Sequence, residues 1–333
     1  MQPKRATAGA GMWRRTPPAV FPPLLGLLGL GLGWRAWFGT AALPGPGPGA
    51  GLAEAFLGAV SLVYALALVA WLSKPLRRPG VVFDEARTVP GVAGMAAATM
   101  GAMLLALVLL PYAPGLAMAV AVAALAGHLG QALLFVHRLA TGPAESRPPA
   151  PVWHLVFVGF VLAPLPLVPM GLEAAGRAIL YASIVAAVPI WALGLRQFLA
   201  APPPAPLRPL LAIHLAPACL FVQVGVLTGL SGPAQGFGML AVILFAAFVA
   251  RARWLTAAGF SAMWGAFTFP LAAFAAALLA LSRSVPDLEA PVIRTAAAVA
   301  LVVATLAILP IGWRILRLWS RGSLAEATNA ATA

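Results

Sequence analysis

The sequence predicts an all-α integral membrane protein of ten transmembrane helices, and three observations lead there. Hydrophobic residues make up 62% of the 333 positions and charged residues only 9%, with a mean hydropathy of +0.96, whereas soluble domains carry about 25% charged residues. Ten apolar segments stand between polar or Pro/Gly breaks, most of them close to the ~20 residues that cross a hydrocarbon core of ~30 Å. The basic residues, finally, segregate between alternate connections as the positive-inside rule requires.

Taken in order, the spans are expected from Pro18 to Phe38, Leu52 to Leu72, Gly91 to Leu110, Gly115 to Val136 and Val152 to Met170, then from Ala175 to Phe198, Pro209 to Leu230, Gln235 to Ala250, Ala257 to Leu281 and Val292 to Ile315. They form a membrane domain over residues 18–316, flanked by tails at 1–17 and 317–333. One set of connections and tails holds Lys4, Arg5, Arg14, Arg15, Lys74, Arg77, Arg78, Arg87, Arg138, Arg147, Arg196, Arg208, Arg251, Arg253, Arg314, Arg317 and Arg321. The alternate set holds Arg35, Arg177, Arg283 and Arg294, which completes the 21 basic residues. This split makes the chain multi-pass with both termini cytoplasmic, the topology of a cell inner-membrane protein. It also accounts for most of the +13 net charge without nucleic acid as a partner; the partner is the lipid bilayer. The apolar run after Arg15 is longer than a secretory h-region of about 7–15 residues, so the first span is expected to be retained. Trp34, Trp37, Trp71, Trp153, Trp254, Trp313 and Trp319 fall near span ends, as an interfacial belt does.

Odd and even spans differ. The odd ones carry interruptions: Pro22, Pro23, Gly26, Gly29, Gly31 and Gly33 in the first, Gly91, Gly94 and Gly101 in the third, Gly159, Pro164 and Pro166 in the fifth, Pro217 in the seventh, Gly265 and Pro270 in the ninth. The even spans have fewer, chiefly Pro189 and Pro310. Five helical hairpins are therefore expected, each with its kinked helix facing inward and its smoother one outside.

The ninth span draws the most attention. Pro270 has no N–H for the carbonyl of Ala266 and disfavours helical geometry at Phe269, so the helix is expected to kink or unwind near mid-membrane. Irregular backbone at that depth persists only inside protein or beside a water-filled cavity. At 100° per residue, Phe260, Phe267 and Phe274 form one aromatic stripe, a packing seam. Phe269 points the other way, sharing its face with Ala262, Gly265, Ala266, Ala272, Ala273 and Ala276, all small. Two readings stay open on these residues alone: a ring filling a gap between closely packed helices, or a plug in a narrow pore.

Chemistry is sparse elsewhere. Cys219, the single cysteine, lies in an apolar run and can form no internal disulfide. None of the eight acidic residues falls mid-span, which disfavours a cation path or proton relay. No metal-type cluster, nucleophile triad or phosphate loop is found, so neither an enzyme nor a bound cofactor is expected. A haem-binding oxidoreductase using His128 and His214 lacks any attachment motif. His214, on an interrupted span, is a candidate pH-sensing group at an inner vestibule; the alternative is a hydrogen-bonded structural histidine.

Three stretches resemble the tellurite-resistance/dicarboxylate transporter family, which includes TehA-type channels, plant slow anion channels and fungal malate and sulfite transporters. They are Trp264-Gly265-Ala266-Phe267-Thr268-Phe269-Pro270, the run from Arg208-Pro209 to Ala216-Pro217, and Pro18-Ala19-Val20-Phe21 followed by glycines and Gly33-Trp34-Arg35. The resemblance implies five inner helices around a central pore, a homotrimer with one pore per protomer, and movement of small inorganic or organic anions. Phe269 then corresponds to the family's pore-blocking phenylalanine, with Pro270, Gly265, Ala266, Ala273, Pro217 and Pro164 at the kinks or lining of the path. Gly265 departs from the second tryptophan many members carry. Coupled efflux of an organic anion, sulfite, tellurite or a dicarboxylate, with His214 titrating, is the alternative to a channel.

Overall fold

A computed structural model describes residues 12–40, 48–143 and 148–332; Lys4, Arg5, Glu145 and Arg147 lie outside them. The described chain is helical, without strands. Among the described residues nine helices are long and apolar enough to cross a membrane: α1 (Pro18–Gly39), α2 (Pro48–Arg77), α3 (Val89–Leu109), α4 (Pro114–Thr141), then, after the shorter apolar α5 (His154–Met170), α6 (Glu173–Ala200), α7 (Ala205–Leu227), α8 (Ser231–Ala250), α9 (Ala262–Leu281) and α10 (Ala290–Ser320).

The odd and even helices do separate by burial. The most apolar windows of α1, α3, α7 and α9 are 67–72% buried, and those of α2, α4, α6, α8 and α10 only 17–33%. Leu62, Val185, Ile243 and Leu306 on the even helices lie exposed, as lipid-facing side chains do. The buried helices touch in a closed order: α1 packs on α3, α3 on α5, α5 on α7, α7 on α9, and α9 back on α1. Each even helix packs on the odd helix that precedes it.

Interruptions in the odd spans take different forms. In α5 a π-helical stretch, His154–Val158, passes into 3-10 and short α turns before Gly171 ends the segment at φ 89°. In α7 a ten-residue 3-10 stretch, Ala205–His214, precedes the α-helix. In α9 the structure corrects two expectations. The span starts at Ala262 and not at Ala257, because the chain turns at Gly259 (φ 75°), whose carbonyl accepts the Trp264 indole N–H at 2.9 Å. Phe260 therefore leaves the aromatic stripe and sits beneath the Arg314 guanidinium, 5.2 Å away, while Phe274 stacks on Phe245 at 4.2 Å. The backbone also stays α-helical through Pro270 rather than unwinding. Pro270 lies in the second turn of that helix, so only the bond to Ala266 is lost, and the Thr268 hydroxyl binds the Gly265 carbonyl at 2.7 Å within the same turn.

The two ends of the described chain meet on one face. Arg15 pairs with Glu326 at 2.8 Å, and the Trp319 indole donates to the Thr16 hydroxyl at 3.2 Å. Beneath them the Lys74 ammonium, wholly buried, holds the Glu85 carboxylate and donates to the Thr16 carbonyl at 3.1 Å. Desolvated charges persist only when paired in this way.

Contact between α1 and α9 depends on missing side chains. A Cβ at Gly26 would fall inside the Thr268 side chain and against its backbone carbon, and the Thr268 hydroxyl already donates across to the Pro22 carbonyl at 3.0 Å. Gly26→Ala must push these helices apart, which costs about 1–3 kcal/mol by the usual penalty of overpacking. Gly58→Ala, which adds its methyl to open space, stays within about 0.5 kcal/mol. Thermal unfolding midpoints in detergent check this; equal midpoints for the two variants contradict the packing.

Candidate functional site

Two voids lie inside the ring of buried helices. The first, of about 40 Å³, is bounded at the α9 N-terminal end by Ala262, Gly265, Ala266 and Pro270, with Ala19 and Pro22 of α1, Ala93 and Ala97 of α3, Leu155 of α5, and Ile213 and Ala216 of α7. The second, of about 350 Å³, lies toward the α9 C-terminal end among Ala272, Ala273 and Ala276, Gly29 and Gly33, Leu104, Leu162 and Leu165, and Leu220 and Gln223. Among the described residues Phe269 alone lines both. Its side chain is 5% exposed, and a Cβ at Gly29 would stand 3.3 Å from its ring. The glycine of α1 thus leaves the space into which the ring leans.

All six small residues on the Phe269 face of α9 border one void or the other, three on each side of the ring. Pro217 and Pro164 border neither. Pro164 instead faces Gly176 of α6, and the α7 lining is carried by Leu210, Ile213, Ala216, Leu220, Gln223 and Leu227.

Polar groups are few. The first void has no polar side chain among its described lining residues. In the second, Gln223 directs its amide to the carbonyls of Cys219 (3.4 Å) and Ala273 (3.3 Å), and Arg35 and Arg283 complete the far end. Arg35 is neutralised by a two-pronged contact with Glu54, 2.6 Å from its Nε and 2.5 Å from its Nη2, and donates to the Val108 carbonyl at 3.2 Å. Glu54 accepts as well from the Tyr112 hydroxyl at 2.8 Å. No carboxylate lines either void among the described residues. Sequence reading passed over Gln223, Arg35 and Arg283; the available signal for Gln223 was its place as the one amide in the apolar run Leu215–Leu227.

His214 borders neither void; the 3-10 stretch that ends at it leaves its ring against α5 and α6. Its Nδ1 lies 3.0 Å from His154 Nε2, its carbonyl accepts the Trp191 indole N–H at 3.0 Å, and its ring abuts Gly194. The neighbouring Ile213 and Leu155 form the void wall in place of the histidines. His128 is engaged with the Thr99 hydroxyl at 2.7 Å, between α3 and α4.

With this geometry in hand, the comparison with known families is decisive. Residues 15–316 match the voltage-dependent anion channel (SLAC1) family. The chain belongs to that family. This is the grouping that the Thr-Phe-Pro, Arg-Pro and glycine-rich stretches resemble, and the match spans all ten apolar helices except the last few residues of α10. No curated protein matches the chain. Membership makes this SLAC1-family chain a multi-pass membrane protein whose class of activity is anion transport.

The His154–His214 contact belongs to packing between α5, α6 and α7. His214→Ala leaves a buried ring nitrogen of His154 without a partner, a loss of about 1–3 kcal/mol. A lower thermal midpoint is expected, with the pH profile of anion flux per folded molecule unchanged between pH 6 and 8. A flattened or displaced profile restores His214 to the path.

Proposed function

We propose that this chain is an anion channel or facilitator whose central path joins the two voids and is closed between them by Phe269. The observation that carries the proposal is that one aromatic side chain is common to both voids. Magnitudes favour closure at that point. A void of about 40 Å³ holds only a few waters, and a bare ion in low dielectric loses several kcal/mol or more of solvation even after relaxation. The larger void has room for an ion with part of its shell. Displacing the ring is the step that would give an anion continuous hydration.

Several features support anions over cations. Carboxylates are absent from the described lining, while an amide and two guanidiniums stand along the second void. The closed order of α1, α3, α5, α7 and α9 supports an inner ring lined by the odd helices, with each even helix as the outer arm of a hairpin. The meeting of Arg15 with Glu326 supports an even number of crossings, since nine would part the two ends; α5 then counts as the tenth. The segregation of the basic residues supports cytoplasmic ends in an inner membrane, and with them a second void that opens to the outside. A homotrimer with one path per protomer follows the family layout. Proton-coupled exchange through His214 finds no support, because that ring stands outside the voids.

In proteoliposomes, Phe269→Ala is expected to raise chloride or nitrate flux at least about tenfold, equivalent to lowering the barrier by only ~1.4 kcal/mol. Unchanged flux through correctly folded protein removes the gate.

A further inference from the structure

Beyond the second void, toward the surface, lies a pocket of about 390 Å³ where α9 hands over to α10. Arg283 lines both it and the second void, so this guanidinium stands at the doorway between them. Arg294, one turn into α10, borders the same pocket and lies over the Trp37 ring at 5.2 Å. Arg283 is differently placed from Arg35, whose charge Glu54 cancels. Among the described residues Arg283 has no carboxylate partner, and its one hydrogen bond goes to the Ala36 carbonyl at 3.4 Å. Burial, and after it the like charge of Arg294, hold the Arg283 guanidinium below its ordinary range. It nevertheless stays charged, as arginines in proteins do.

Two like charges facing one pocket repel, and an anion between them relieves the repulsion. Guanidinium forks suit planar oxyanions and carboxylates best. The pocket also has Asp287 on its lining, which limits affinity and disfavours multivalent anions. The Ser282 hydroxyl is directed to the Leu279 carbonyl at 2.8 Å, so its oxygen adds no free donor.

We propose that Arg283 and Arg294 form an anion-binding site for small monovalent anions at the α9–α10 end of the path. The site concentrates anions before they enter the second void, and weak binding there is what lets them leave it again. In its role the site rests on the conduction reading above, but its occupancy does not.

Trp37 supplies a probe independent of conduction. Iodide bound beside Arg294 quenches this indole, and the Trp37 share of quenching is isolated by comparison with Trp37→Phe in the purified full-length protein. Arg283→Gln is expected to weaken iodide binding about two- to threefold, the effect of removing one charge some 6–10 Å away in water. Arg283→Lys restores most of it, Asp287→Asn strengthens it, and the difference between wild type and Arg283→Gln fades near 1 M of a non-quenching salt, where the Debye length is about 3 Å. The same two- to threefold loss is expected in nitrate flux at low salt in a Phe269→Ala background. Equal quenching in wild type and Arg283→Gln overturns the site. Charge-dependent quenching without any flux in Phe269→Ala leaves the site standing and brings down the conduction reading instead.

Discussion

The close approach of α1 and α9 is the constraint on which the rest depends. Gly26 brings the α1 backbone against Thr268, the Thr268 hydroxyl fastens to the Pro22 carbonyl, and Gly29 clears the space that the Phe269 ring enters. In lipid no hydrophobic force draws helices together, so small residues and cross-helix hydrogen bonds must do it. A methyl group at Gly26 would separate the two helices, and the ring would no longer span the gap between the voids. The packing of one pair of helices therefore sets the gap between the two voids that the Phe269 ring fills.

Electrostatics along the path follows from what is missing as much as from what is present. The first void is wholly apolar in its described lining and the second nearly so, which leaves charge to the far end. There Arg35 is paired with Glu54, whereas Arg283 has no carboxylate partner among the described residues. On the proposed reading, an apolar constriction beside a basic vestibule would reject cations at the entrance and hold back every ion at the narrow point until the aromatic ring moves. Strong binding sites inside such a path would trap an anion; a single amide, Gln223, engaged with two carbonyls, is a mild solvating group.

Much of this was readable from the amino-acid sequence because membranes impose simple rules. Apolar length and the placement of Gly and Pro separate the buried odd helices from the exposed even ones without coordinates. The small face around Phe269 was visible from helical periodicity alone, since 100° per residue holds over the two turns either side of the ring. Periodicity failed where the helix did. Phe260 was assigned to a stripe that Gly259 interrupts with its left-handed backbone, and His214 was turned the wrong way because a 3-10 stretch advances about 120° per residue and rotates every side chain from its α-helical bearing. Pro217 and Pro164 are kink or lining candidates in the sequence and border neither void, since a break says nothing of which face looks inward. Arg283 escaped notice since its value lies in a partner that it lacks, a property of three-dimensional neighbours only.

On the proposed reading Phe269 separates two compartments that are otherwise continuous. The most direct test is sided access of a small anionic thiol reagent to cysteines placed at Ala266 and at Ala276, in protein whose buried Cys219 is replaced by alanine. With Phe269 present, the cysteine at 266 should react from one face of the membrane only and that at 276 from the opposite face only; with alanine at 269, each should react from both. Reaction of either cysteine from both faces while Phe269 is intact would contradict the account.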